Sequence, residues 1–163
     1  KVESSSSVLR FSPVSELLGK EIVCVSGTYY HCLAVSNEGR VFGHGSNSCG
    51  ELGIGEGRSE VSSFTEISSL FSYKIRAAYA GYTHSLFETE EGKILSCGWN
   101  GYGELLLSRS PSNEKVYTPT ETTITSGATF CIAGCHISAV FIGGNPPPNT
   151  PNNNNQNVTN CNR

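Results

Sequence analysis

Methionine is absent from this chain of 163 residues, so the segment is expected to be part of a longer polypeptide with its own initiator. Nowhere does an uninterrupted apolar run approach the roughly 20 residues of a membrane span, so no membrane association is expected. The opening stretch KVESSSSVLRF holds one lysine and no apolar centre, and is not expected to act as a signal peptide. Charge is sparse at 15%, and the 11 Lys and Arg are scattered singly, which gives no footing for nucleic acid. Long helices are also disfavoured, because 18 glycines and many Ser and Asn residues favour turns and short strands.

Sites built on metals, phosphates or nucleophiles lack parts as well. Gly43-His44-Gly45 and Gly53-Ile54-Gly55 hint at a phosphate-cradling loop, yet no Gly-Lys-Ser/Thr follows either. Cys131-x-x-x-Cys135-His136 is the one tight Cys/His cluster, and no second pair stands at the spacing zinc requires. The seven cysteines are odd in number and follow no disulfide framework, and several fall within apolar strand patterns. They are read as small, partly buried thiols of an intracellular protein. No nucleophile, base and orienting group stand together, so neither catalysis nor a cofactor is expected.

What is present is a repeat. His31 and His84 are 53 apart (84 − 31), as are Gly39 and Gly92, Gly45 and Gly98, Asn47 and Asn100, Gly50 and Gly103, and Leu52 and Leu105. Ile22 to Gly27 aligns at the same offset with Ile75 to Ala80, and then with Ala128 to Ala133. Each is a short apolar run suited to a strand. A second strand begins at His31 and His84, and a hairpin turn follows at Asn37-Glu38-Gly39 and Glu90-Glu91-Gly92. A third strand enters a glycine-rich loop, RVFGHGSNSCGELGIG in one copy and KILSCGWNGYGELLLS in the next. A fourth apolar patch recurs at Phe11, Phe64 and Tyr117.

Four short strands per unit describe a propeller blade, with a solenoid of β-hairpins as the alternative. The expected units are 1–21 (the end of a preceding repeat), 22–74, 75–127 and a partial, degenerate 128–144. Residues 145–163 hold nine Asn and four Pro, and are expected to be a disordered tail or linker. A histidine duplicated at the head of a strand is not expected to be catalytic. A ring nitrogen bonded to a backbone group in each copy explains it better. Trp99 and Tyr102 replace Ser46 and Cys49 of the first loop, which marks them as candidate contacts with a partner.

Gly81-Tyr82-Thr83-His84-Ser85, followed by Gly98-x-Asn100-x-x-Gly103-Glu104-Leu105, resembles the regulator of chromosome condensation repeat family. Residues 11–142 carry the likeness. Departures are Glu51 and Glu104 in place of Gln, Leu106 for the last glycine, and Ile137 for the third histidine, although Gly134 keeps register. The resemblance implies an all-β propeller of seven blades, roughly 370 residues at this period when complete. It also implies a non-catalytic module that binds a protein partner, with nucleotide exchange on a small Ran-type GTPase as one alternative. Regulation of an attached kinase or ubiquitin-transfer domain is another. Nucleus and cytoplasm are equally compatible with it.

Overall fold

The computed structural model describes residues 13–108, 115–143 and 159–160. Phe11 and most of the expected 1–21 and 145–163 segments lie outside the described residues.

Eleven strands and two single turns of 3-10 helix make up the described chain. The first sheet holds β1 (Ile22–Gly27), β2 (His31–Ser36), β3 (Val41–Ser46) and β4 (Glu60–Glu66), antiparallel and in sequence order. The second holds β5 (Ile75–Ala80), β6 (His84–Thr89), β7 (Ile94–Trp99) and β8 (Lys115–Glu121) in the same order. A third pairs β9 (Ala128–Ala133) with β10 (Ser138–Ile142). The two-residue β11 (Thr159–Asn160) lies parallel to β1, with Cys24 opposite Thr159. Turns of 3-10 helix at Ser15–Leu17 and Ser68–Leu70 are again 53 residues apart (68 − 15).

The sheets stack side by side, and one apolar cluster runs through both seams from Cys24 to Cys131. In the second sheet β6 is buried at all six positions, while β1 and β10 are largely half-buried or exposed. Strand β6 is packed on both faces by its neighbours, so His84, Ser85, Glu88 and Thr89 are buried along with Leu86 and Phe87, and burial along it does not alternate. Leu33, Leu52, Leu86, Phe87 and Ile94 are wholly inaccessible to solvent. Full burial contributes roughly 1.5–3 kcal/mol for each such side chain.

Backbone hydrogen bonds set the spacing between units. Ile75 N–H donates to Gly39 O at 3.2 Å, and Ala128 N–H donates to Gly92 O at the same distance. Each hairpin turn therefore touches the first strand of the next unit. Gly39 and Gly92 have φ of 78° and 77°, and a Cβ on Gly39 would stand 3.0 Å from Ile75 N. Only glycine meets both the left-handed backbone and the close approach.

Of the described cysteines, Cys32, Cys49, Cys97, Cys131 and Cys135 are free thiols. Cys24 departs from expectation: it is disulfide-bonded.

Candidate partner-binding face

Three two-residue hairpin turns of the same construction come to one end of the sheets. Thr28 N–H donates to His31 O at 2.9 Å, Gly81 N–H to His84 O at 2.8 Å, and Gly134 N–H to Ile137 O at 2.8 Å. Their apices carry Tyr29-Tyr30, Tyr82-Thr83 and Cys135-His136. A two-residue apex has no room to fold its side chains under itself, so these project outward.

The projecting rings touch in series across three repeats. Tyr29 meets Tyr30 edge-on at 5.1 Å between ring centroids, and Tyr30 meets Tyr82 at 4.8 Å. The two hydroxyls Tyr30 Oη and Tyr82 Oη are 2.9 Å apart. Tyr82 faces His136 at 6.0 Å, and Tyr102, from the glycine-rich loop, faces the same imidazole at 5.1 Å. Tyr29 is 89% exposed and Tyr102 75%. Aromatic rings held in contact on a surface expose apolar area that water does not satisfy.

Beneath the rings, the loops are pinned by buried asparagines. Asn47 Oδ1 accepts Leu52 N–H at 3.0 Å, and Asn47 Nδ2 donates to Gly55 O and Arg58 O. Asn100 Oδ1 accepts Leu105 N–H at 3.0 Å, and both leucines are fully buried. Gly45, Gly50, Gly98 and Gly103 hold the loop's positive-φ positions. Each loop also buries a glutamate. Glu51 is satisfied at both oxygens, by Cys49 N–H at 2.8 Å and Ser46 Oγ at 3.1 Å. Glu104 accepts Tyr102 N–H at 2.9 Å on Oε2, and its Oε1 is buried with no hydrogen-bond partner. His136 Nδ1 stands 3.6 Å from that oxygen.

The duplicated histidines link neighbouring units. His31 Nε2 and Ser85 Oγ lie 2.9 Å apart, and Ser85 Oγ donates its own hydrogen to Glu51 O at 2.6 Å. His31 is therefore the donor, with its proton on Nε2. His84 Nε2 makes the equivalent contact with Ser138 Oγ at 3.0 Å. This corrects the backbone partner expected from the sequence. Strand alternation points Ser85 back to the first sheet and His84 on to the third, so the next unit's hydroxyl comes within reach. Burial holds both imidazoles down to about 4, with the neighbouring His84 adding to the effect on His31. Ser85 is inaccessible to solvent, and no substrate reaches the pair.

Of the two loop aromatics singled out in the sequence, Tyr102 joins the stripe. Trp99 is half-buried and lies over its own loop, where a Cβ on Gly101 would be 2.5 Å from Trp99 Nε1. Sequence reasoning missed Tyr29, Tyr30, Tyr82 and His136. A usable signal was there: tyrosine recurs at positions 29 and 82, one residue into a turn too short to bury it. Cys131 is buried and Cys135 exposed, so the Cys/His run does not converge.

The model of the regulator of chromosome condensation (RCC1) repeat matches residues 22–51 and 75–104, the two stretches that build these loops. The chain carries repeats of the regulator of chromosome condensation family. It is 30% identical over 144 residues to the ultraviolet-B receptor UVR8 of Arabidopsis thaliana, covering 86% of the chain and 32% of that relative. The secretion-regulating guanine nucleotide exchange factor of Bos taurus is 36% identical over 87 residues, covering 53% of the chain and 18% of its own length. Among solved structures, yeast RCC1 (Prp20) bound to Kap60 superposes with a TM-score of 0.64 at 21% identity. That superposition covers 75% of the chain and 30% of the yeast protein. The stacked sheets are thus a fragment of a β-propeller, and the chain spans about a third or less of these relatives' lengths. Among the described residues no helix is long and apolar enough to cross a membrane.

Proposed function

We propose that this chain is a non-catalytic protein-interaction module whose contact surface is the aromatic stripe. The observation that carries it is the unbroken ring series from Tyr29 to Tyr102, contributed by three repeats and left facing solvent. Tyrosine combines large apolar area with little conformational entropy to lose, which is why it is enriched at protein interfaces. The repeats supply a rigid frame and the turn apices supply the specificity.

A Tyr82→Ala/Tyr102→Ala double variant of the chain, immobilised beside the unaltered chain, tests this. Proteins retained from an extract are expected to fall at least tenfold with the double variant. Glu38→Ala, in a hairpin turn at the other end of β2, is expected to leave retention unchanged. Equal retention by all three would end the reading.

A second reading is nucleotide exchange on a small GTPase. The similarity to the bovine exchange factor favours it, and the fold neighbour Prp20p of Saccharomyces cerevisiae has binding properties to Gsp1p and histones. Accelerated nucleotide release from such a GTPase is its direct readout.

A further inference from the structure

We propose that the seam between the second and third repeats is a pocket for an arginine side chain of the partner, with Glu104 as counter-charge and Tyr82 and Tyr102 as walls. This rests on the aromatic face being the contact surface, and adds which chemical group it binds.

The first observation is the orphan oxygen. Glu104 is 2% exposed and its Oε1 has no hydrogen-bond partner. A buried carboxylate left short of donors is costly, and a donor from outside recovers that cost. The nearest nitrogen, His136 Nδ1 at 3.6 Å, is beyond good hydrogen-bond distance and belongs to a half-exposed side chain on a turn apex. It can swing away.

The second observation is that the first repeat closes the same position. There Ser46 donates to Glu51 Oε1, and residues 49 and 83 are Cys and Thr. In the second repeat Trp99 stands for Ser46, Tyr102 for Cys49, and His136 for Thr83. Together these three differences remove the internal donor and set rings around the opening.

The third is shape. His136 is a planar group set edge-on to Tyr102 and Tyr82, at 62° and 67°, with one nitrogen toward Glu104 Oε1. A guanidinium is also planar, carries its N–H groups in the plane, and is attracted to tyrosine rings. With Oε2 already held by Tyr102 N–H, one N–H donates to Oε1 and the others stay at the polar rim. His136 gives way to the incoming group and packs outside it.

The test is titration of the chain with N-acetyl-arginine amide, followed by ring resonances of the tyrosines and histidines. Saturable shifts confined to Tyr82, Tyr102 and His136 are expected. N-acetyl-citrulline amide, matched in shape and uncharged, and N-acetyl-lysine amide are both expected to bind at least tenfold more weakly. Glu104→Gln is expected to lower arginine binding at least tenfold. Trp99→Ser, which keeps the carboxylate but supplies the hydroxyl Glu51 enjoys, is expected to do the same and carries the test if Glu104→Gln does not fold. Equal binding of citrulline or lysine, full binding by Trp99→Ser, or shifts elsewhere on the chain would overturn the pocket. Loss of partner retention in the tyrosine double variant without any arginine preference would overturn it too, and leave the contact face standing.

Discussion

Gly98 and Gly103 belong to the same loop and both have positive φ, 111° and 83°, yet they answer different demands. A Cβ on Gly98 would lie 2.4 Å from Thr83 O and 2.5 Å from the His84 Cα, whereas one on Gly103 meets nothing within 4 Å. Gly103→Ala is therefore expected to cost about 1–2 kcal/mol, the left-handed backbone penalty alone. Gly98→Ala is expected to cost well beyond that, because backbone cannot step aside as a flexible side chain can. Urea denaturation of the two variants measures the difference, and equal losses would refute the contact argument. Both glycines were legible as members of a repeat. Which of them faces the packed head of β6 was not, since that depends on the path of a strand from an earlier part of the chain.

At the level of elements, the sheets are joined by apolar packing and by histidine–serine contacts that cross each seam. Ser85→Ala leaves His31 Nε2–H buried without an acceptor, and is expected to destabilise the chain by about 1–3 kcal/mol. The same contacts make stability depend on pH. His31 and His84 are held at about 4, below the ordinary value of 6.5, because burial disfavours the imidazolium. The unfolded chain takes up protons at a pH where the folded chain does not. Stability is thus full above about pH 6.5 and is lost progressively as pH falls toward 4, by roughly 3 kcal/mol per histidine at most. Denaturation midpoints between pH 7 and 4.5 are expected to drop accordingly, and a His84→Gln variant is expected to show a shallower fall. A midpoint independent of pH would contradict the buried, neutral imidazoles. The repetition of the histidine was visible in the sequence. Its partner was not, because the serine lies 54 residues away (85 − 31) and is reached only when two sheets stack.

Over the whole molecule the two ends of the stack differ from its middle. Strands β5 to β7 of the second sheet are largely buried, while Ile137 at 64% and Ile142 at 57% exposure stand at the two-stranded β9–β10 pair. Apolar edges of this kind favour association. Sedimentation of the chain is expected to show size increasing with concentration, and Ile137→Ser/Ile142→Ser is expected to shift it toward monomer. A strictly monomeric chain at high concentration would contradict that reading.

The sequence by itself determined the all-β class, the 53-residue period, the four strands of a unit and the glycine and asparagine positions of its loops. These follow from local rules: apolar runs make strands, and turns need particular residues. Tertiary structure alone decided the partner of each histidine, the aromatic stripe and the orphaned oxygen of Glu104. Those depend on the distance between neighbouring repeats, and that distance is set by how two sheets pack.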